Sequence, residues 1–335
     1  MFYFLHISKC AGSSFIALAR ENLRPFMPNA NGNPINPLTG ERLKYWYWSR
    51  EEQQYFLSSD LWQLVSNEEH LGRTFEFFSG VTYVTILREP IDRLFSHWQF
   101  AVEKPGKDES LEERGRNFAR FLQDRGSKNW RRNYLLSSLT YQERRDPQRL
   151  PLAKQRLEQF DRVFLMGDFA DGVRQLEQDG WTKVELPWRN TAAPGEANWS
   201  AARAALRSQP EILDRLIEAN AEDIELYAYA QALVERRKAG HAQPEPRRTS
   251  SREMPNSRNF DFVLTCAYEA YLKGEEPRCR ELLKQAEKLP EAAEVNIRKT
   301  RNLIEFALRR FGAPDRAEKE HRKIVREKRA ARTAA

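Results

Sequence analysis

The sequence predicts an α/β domain with a central, mainly parallel sheet, followed by a small all-α extension. Two short apolar runs, at residues 2–7 and 81–87, are typical of buried parallel strands, and each leads directly into a helical pattern. Beyond residue 259 the apolar residues recur with helical spacing only. Strand–helix units indicate a parallel sheet, because parallel strands need crossover connections.

A loop of small residues follows the first strand and is a candidate anion-binding site. The apolar run ends at Ile7, and a helical pattern opens at Phe15. A strand, a small-residue loop and a helix in this order point backbone N–H groups and a helix N-terminus at one place. Gly12 allows a close approach of the backbone, and Lys9 adds a positive charge at the loop entrance. An ordinary strand-to-helix turn would show the same pattern, so the loop alone leaves both interpretations open.

The second predicted strand also ends in residues that can bind an anion. The run at residues 81–87 leads into Arg88, and Pro90 suits the first turn of the next helix. Arg88 and Ser96 can converge on one phosphate, since a guanidinium donates two hydrogen bonds and a hydroxyl adds a third. Two anion-binding strand ends in one α/β domain predict a ligand that is phosphorylated at two places.

These two segments resemble motifs of the sulfotransferases that use 3′-phosphoadenylyl sulfate (PAPS), in the group that includes heparan sulfate 2-O-sulfotransferase and its bacterial relatives. Residues 6–14 follow the first motif with Ser8 in place of its Pro, and residues 87–96 follow the second. Further stretches resemble later family motifs in the same order, at residues 129–137, 157–169, 188–191 and 220–227.

The resemblance implies a fold, a donor and roles for the site residues. The fold is a three-layer α/β/α, P-loop-like domain, and the donor is PAPS, which leaves as adenosine 3′,5′-bisphosphate. Lys9 would bridge the leaving phosphate and the moving sulfuryl group, while Arg88 and Ser96 would hold the 3′-phosphate. The implied PAPS-binding residues are Lys9, Cys10, Ala11, Gly12, Ser13, Ser14, Phe15, Arg88, Ser96, Asn190 and Thr191.

Sulfuryl transfer also needs a general base for the proton of the acceptor hydroxyl. The family usually places a His, and sometimes a Glu, between the two phosphate motifs. Here residues 64–70 occupy that place, and His70 is the only His between the motifs, with Glu68 and Glu69 as competing candidates. The segment lacks the family's frequent Ser-Gly-His form, and a solvated His and Glu pair without a catalytic role is the alternative.

The acceptor site is predicted from aromatic and basic residues. Four aromatic side chains follow one another at residues 45–48, and aromatic rings can stack on sugar rings. Tyr45 and Trp46 are therefore candidate acceptor contacts, although the same residues could fill the core. Arg132 ends a charged helical stretch, residues 111–132, that is a candidate wall of the acceptor cleft. The expected acceptor is a hydroxyl group on a saccharide.

Charge divides the chain into two parts. Residues 241–335 hold 22 Lys and Arg against 15 Asp and Glu, so the whole net charge of +7 lies there. We expect a sulfotransferase domain at 1–238, a linker at 239–259 and a helical extension at 260–330, faintly similar to a tetratricopeptide hairpin. The basic extension could contact a protein or an acidic polymer, or form the solvated face of a helical cap; nucleic acid is not an expected partner.

The sequence contains no apolar stretch of 18 residues and no secretory-signal pattern, so we expect a cytoplasmic, bacterial enzyme without a transmembrane segment. Its three cysteines, Cys10, Cys266 and Cys279, have no metal-site spacing, and the expected chemistry requires no metal. Cys10 lies in the anion loop, where N–H groups could lower its pKa and make the thiol reactive. Its small size is the alternative reason for its presence.

Two other functions fit part of the pattern. A nucleotide kinase also uses a phosphate loop and Arg clamps, but it needs G-x-x-x-x-G-K-(S/T), which the sequence lacks. A catalytically inactive α/β-helical adaptor would not need to keep Lys9, Arg88 and Ser96 together. The sequence therefore favours a PAPS-dependent sulfotransferase.

Overall fold

A computed structural model describes most of the chain up to residue 290. The described residues are 1–23, 34, 36, 43–59, 63–68, 70–71, 75–101, 118, 132–140, 146–185, 203–240, 244 and 253–290.

The predicted parallel sheet is confirmed. It has four strands, β1 (Phe2–Leu5), β2 (Leu64–Asn67), β3 (Thr82–Leu87) and β4 (Arg162–Leu165), in the spatial order β2-β1-β3-β4. All three pairings are parallel, and Leu5 at the end of β1 lies between Asn67 and Thr85. The carboxyl ends of the strands therefore share one edge of the sheet, which is where open parallel sheets bind ligands.

Helices cover the sheet and follow its strands. Those that precede the third strand are α1 (Gly12–Asn22) and α2 (Arg50–Leu57), with a short 3-10 turn at Tyr45–Tyr47 between them. The helices from β3 to β4 are α3 (Pro90–Ala101), α4 (Tyr134–Thr140) and α5 (Arg149–Gln159). In the described ranges, the helices after β4 include α6 (Phe169–Val173), α7 (Pro210–Ala219), α8 (Ala221–Lys238), α9 (Phe260–Leu272) and α10 (Glu276–Glu287).

The main core lies on both faces of β1. Successive strand residues point to opposite faces of a sheet, and Tyr3 and Phe4 are both fully buried. Phe4 packs against Phe15 of α1, with ring centroids 4.4 Å apart. On the other face Tyr3 packs edge-on against Tyr45, at 6.3 Å. This two-sided burial explains why β1 is apolar at every position rather than alternating.

A second, smaller apolar cluster holds α3 in place. It joins one face of α3 to α7 and to single residues from other segments, and its members are Ile91, Leu94, Phe95, Trp98, Phe118, Leu206 and Leu216. The helical periodicity of residues 91–98 in the sequence therefore corresponds to a buried face, as expected for an amphipathic helix.

The predicted helices of the C-terminal extension are observed as α9 and α10, and they pack against the α/β domain. Phe262 of α9 lies edge-on to Trp48 and to Tyr55 of α2, with centroids 5.4 and 5.7 Å apart. Arg278 of α10 donates a hydrogen bond to the Tyr55 hydroxyl at 3.0 Å. The predicted boundaries at 238 and 259 stay predictions. Most of the predicted linker, and residues 291–330 of the predicted extension, lie outside the described residues.

Candidate functional site

The loop after β1 contains two residues with a left-handed backbone, a feature that anion-binding nests share. Lys9 and Ala11 have φ angles of 68° and 60°, in the left-handed region that residues other than Gly seldom adopt. Alternation of such residues turns successive N–H groups toward one concave side. The helix α1 begins immediately afterwards, so the N–H groups of Gly12 and Ser13 open its first turn, where no intrahelical acceptor exists.

Gly12 is required because an imidazole occupies the space beside it. A Cβ atom added at Gly12 would lie 1.8 Å from Cδ2 of His6. His6 itself stacks on Phe4, with centroids 5.5 Å apart and planes 16° from parallel. The backbone at Gly12 therefore approaches the His6 ring closely, and this ring packs against the loop.

The second predicted strand end meets this loop directly. Arg88 follows β3, which is the neighbour of β1, and its Nη1 donates to the backbone carbonyl of Lys9 at 3.4 Å. The two motifs, 79 residues apart in sequence, therefore form one cationic site at the carboxyl edge of the sheet.

The helix α3 carries Ser96 one turn before a residue that contacts the loop. Glu89 caps its N-terminus by accepting hydrogen bonds from the N–H groups of Ile91 and Asp92, at 3.1 and 2.6 Å. Phe100 lies one helical turn beyond Ser96 on the same side of the helix, and Nζ of Lys9 lies 4.0 Å from the centroid of its ring. Ser96 therefore lies on the same side of α3 as the residue that contacts Lys9.

The ammonium of Lys9 lies in a charged and partly buried environment. Burial lowers the pKa of Lys9 below its ordinary value, and the positive charge of Arg88 lowers it further. The negative charge of Glu68, which follows β2, opposes this lowering. Three groups from the ends of three adjacent strands therefore interact electrostatically, and two of them are cations.

The prediction that Cys10 could be a reactive thiol is wrong. Cys10 is buried, and this burial raises the pKa of its thiol to about 11, although the nearby charges of Arg93 and Arg88 partly oppose the rise. A thiol with so high a pKa is protonated at neutral pH and is a poor nucleophile. The alternative, that Cys10 is a small buried residue, is supported.

Two further residues of α3 join the site that sequence reasoning left without a role. Arg93 is buried, and its guanidinium lies 4.4 Å from the ring centroid of Tyr134. The pKa of His97 is lowered to about 4, first by burial and then by the positive charges of Arg93 and Lys9. Arg93 lies three residues before Ser96 and four before His97, so helical spacing was the available signal for Arg93 and, through it, for His97.

The candidate bases differ in what the structure describes. Glu68 is half-buried directly after β2, and its charge acts on both Lys9 and Tyr134. His70 is buried, and its backbone carbonyl accepts a hydrogen bond from Nδ2 of Asn67 at 2.9 Å. Glu69 lies outside the described residues. Of the two candidates that the structure describes, Glu68 is therefore the one whose charge acts on Lys9.

The prediction that Tyr45 and Trp46 contact the acceptor is wrong. Their side chains are 0% and 2% exposed, and both belong to the main core cluster, so neither ring offers a face to a ligand in this structure. The alternative, that they fill the core, is supported. Arg132 is exposed just before α4. Asn190 and Thr191 lie outside the described residues.

Two of the later stretches that resemble family motifs, residues 129–137 and 220–227, are joined by hydrogen bonds. Asp223 in α8 is fully buried, and its two carboxylate oxygens accept hydrogen bonds from the N–H groups of Leu135 and Leu136 at 2.9 and 2.8 Å. The side chains of Asn133 and Asn220 accept from the backbone N–H groups of Asp223 and Asn133, at 3.1 Å each. These contacts cap α4 from α8. They explain why Asn and Asp occur at these places in the sequence.

The arrangement suits a ligand with several negative charges. It combines backbone N–H groups of a nest and of a helix N-terminus with the cations Lys9 and Arg88 and, beneath them, the buried Arg93. Within the described ranges, no cluster of three or more His, Cys, Asp or Glu side chains could hold a metal ion. Nor does any helix in the part of the chain that the structure describes have the length and apolarity needed to cross a membrane.

Comparison with protein-family models gives a match over residues 1–230, to the model described as the sulfotransferase family. The matched region covers about two thirds of the chain and contains both strand ends that are predicted to bind an anion. A search among curated proteins finds no match.

Proposed function

This chain belongs to the sulfotransferase family, and on that basis we propose that it transfers the sulfuryl group of PAPS to a hydroxyl group of a carbohydrate or glycoconjugate. The observation that carries the proposal is the contact between Arg88 and the Lys9 carbonyl at 3.4 Å. It unites two anion-binding strand ends into one site, as a donor with phosphate groups at two positions requires.

The residues present fit such a donor. The nest and the first turn of α1 would bind the 5′-phosphosulfate, because their N–H groups converge where a helix N-terminus also favours negative charge. Arg88 and Ser96 would bind the 3′-phosphate from the neighbouring strand end. Asn190 and Thr191 complete the proposed set on the strength of the sequence resemblance alone.

The bound donor supplies an activated sulfuryl group whose leaving group is a phosphate. In an in-line displacement, the acceptor oxygen forms a bond to sulfur while the bond from sulfur to the leaving phosphate oxygen breaks. Lys9 Nζ and the N–H groups of the loop would stabilise the negative charge that develops on that oxygen. Such stabilisation is greater in the transition state than in the ground state, so it accelerates transfer rather than only tightening binding.

We propose Glu68 as the base that accepts the proton of the acceptor hydroxyl. Its charge acts on Lys9, and a base must lie near the group that binds the moving sulfuryl unit. His70 remains the competing candidate from the sequence, and Glu69 a third. The proton would pass to a carboxylate oxygen of Glu68 as the acceptor oxygen attacks.

A ligand-binding comparison tests the proposed function. Thermal unfolding of the full chain is measured with adenosine 3′,5′-bisphosphate, with adenosine 5′-phosphate and with ATP. We expect the bisphosphate to raise the midpoint most, because it alone fills both strand ends without a triphosphate chain. Stabilisation by ATP alone would favour the kinase alternative, and stabilisation by none of the three would favour the inactive adaptor.

A second experiment identifies the acceptor. Purified protein is incubated with PAPS and with panels of polysaccharides, glycolipids and small alcohols, and sulfated products are identified by mass. The proposal expects transfer to the carbohydrate panels. A cytoplasmic, bacterial setting and a contact of the basic extension with an acidic polymer or a protein stay predictions from the sequence.

A further inference from the structure

Phe100 is exposed at a place where an exposed aromatic ring needs a reason. It lies in the last turn of α3 and is 74% exposed, whereas the neighbouring Trp98 is fully buried. One face of its ring is covered by the ammonium of Lys9, 4.0 Å from the centroid. This distance is well within the range of a cation–π interaction.

The contact restricts a side chain that would otherwise be mobile. A Lys side chain loses rotamer entropy when it is held in one conformation. The backbone of Lys9 is already fixed in the left-handed region by the loop. The Phe100 ring fixes the other end of the side chain and leaves the remaining N–H groups of the ammonium available to an anion.

The electrostatic surroundings make this restraint useful. Arg88 repels the Lys9 ammonium and Glu68 attracts it. Without a third contact, the ammonium would be drawn toward the carboxylate and away from the guanidinium. The ring face provides an attractive surface that carries no net charge, so it holds the ammonium without neutralising it.

We propose that Phe100 is a positioning residue for Lys9, whose ring holds the ammonium beside the anion-binding loop before a ligand binds. The identity of the ligand rests on the proposed function, but the contact itself does not. Phe100 acts through Lys9, so its effect should vanish when Lys9 is absent.

A double-mutant cycle on ligand affinity tests this dependence. Phe100→Leu keeps an apolar side chain but removes the ring, and it should weaken adenosine 3′,5′-bisphosphate binding about two- to fivefold by calorimetry. Phe100→Tyr keeps the aromatic ring and should bind the bisphosphate with wild-type affinity. In a Lys9→Ala background, Phe100→Leu should have no further effect. Tyr47→Leu is the matched control, since Tyr47 is 60% exposed and its removal should leave affinity unchanged.

A spectroscopic readout on the ligand-free protein tests the contact independently of any activity. Lysines are reductively methylated with ¹³C, which keeps their charge, and the Lys9 signal is assigned by its loss in Lys9→Arg. Methyl protons over a ring face shift upfield, so we expect such a shift in wild type and in Phe100→Tyr, but not in Phe100→Leu.

Each outcome decides one question. An unshifted Lys9 signal in wild type, a shift that survives Phe100→Leu, or an equal affinity loss with and without Lys9 would overturn the positioning role. A ring-dependent Lys9 signal in a protein that binds no bisphosphate would support the contact with Phe100 and contradict the proposed function instead.

Discussion

Arg88 offers the sharpest test of the donor site at the scale of one side chain. Its guanidinium reaches the Lys9 carbonyl from the neighbouring strand end and is proposed to bind the 3′-phosphate. Arg88→Ala should remove about 2–4 kcal/mol of charge-assisted hydrogen bonding. Calorimetry should then show roughly 30- to 1,000-fold weaker binding of adenosine 3′,5′-bisphosphate. Binding of adenosine 5′-phosphate should change little.

The control for Arg88 is an arginine outside the site. Arg174 is exposed and pairs with Asp171, so Arg174→Ala should leave both affinities unchanged. Equal losses of the two nucleotides in Arg88→Ala would show that Arg88 does not contact the 3′-phosphate but supports the loop through the Lys9 carbonyl.

The roles of Glu68 and His70 can be separated by one substitution at each position. If Glu68 accepts the acceptor proton, Glu68→Gln should lower kcat by roughly 10²–10⁴ and abolish the acid limb of the pH–rate profile. His70→Asn should keep most of the activity. The measurement is kcat against pH at saturating PAPS, with bisphosphate affinity as the check on folding. The reverse pattern would assign the base to His70.

How much of the site the sequence predicts depends on whether a residue acts alone or through its surroundings. The proximity of Lys9 and Arg88 follows from two strand ends in a parallel sheet, and the structure agrees. The pKa of Cys10 was misjudged because burial outweighs the nearby N–H groups and arginines. Trp46 was misplaced because a dense aromatic run does not reveal which side faces the core.

At the scale of the elements, strands formed by apolar runs could be predicted from the sequence, whereas a strand with polar residues could not. β1 and β3 are buried on both faces and are apolar or β-branched throughout. β2, by contrast, ends in Ser66 and Asn67. Asn67 is tolerated in the interior because its amide donates to the Tyr3 hydroxyl and to the His70 carbonyl, contacts that no local pattern shows.

The capping of α4 by Asp223 gives a pH-dependent prediction. Burial raises the pKa of Asp223 to about 6, from an ordinary value of 3.8, although Leu136 and Leu135 donate to it. The folded protein therefore binds a proton that the unfolded chain has released between these pH values. Asp223 thus contributes stability that is fully present below about pH 4 and lost as the pH rises to about 6.

The measurement is the free energy of unfolding in denaturant at pH 4.5 and 7.5. Between the two pH values, the free energy of unfolding of the wild-type protein should fall by about 2 kcal/mol more than that of Asp223→Asn. Asp171→Asn is the control for replacing an aspartate outside the α4 cap, because Asp171 is an exposed carboxylate. A pH-independent difference for Asp223→Asn would mean that the buried carboxylate stays ionised throughout.

At the scale of the whole molecule, the α9–α10 hairpin is predicted to unfold together with the α/β domain. Phe262 is fully buried between Trp48 and Tyr55, so Phe262→Ala should cost about 3–5 kcal/mol. Tryptophan fluorescence and circular dichroism in denaturant should show one transition, shifted to lower concentration. Ile217→Ala, at a partly exposed position, should shift it much less. Two separate transitions, with only one displaced, would instead support independent domains.

The pairing of β1 with β3 has a consequence for which ligands the site can accept. Leu5 lies opposite Thr85, so the loop after β1 and Arg88 after β3 start from neighbouring strands about 5 Å apart. The spacing of the two proposed anion-binding ends is therefore set by main-chain hydrogen bonds, and side-chain replacements should change the strength of each end more than their separation. A ligand whose anionic groups are spaced differently would have to distort itself or leave one end empty. The sheet would thus fix the distance between the anionic groups that the site can bind. Changing that distance would require a shift in strand register, and a shift by one residue would exchange the side chains that pack on the two buried faces of the strand.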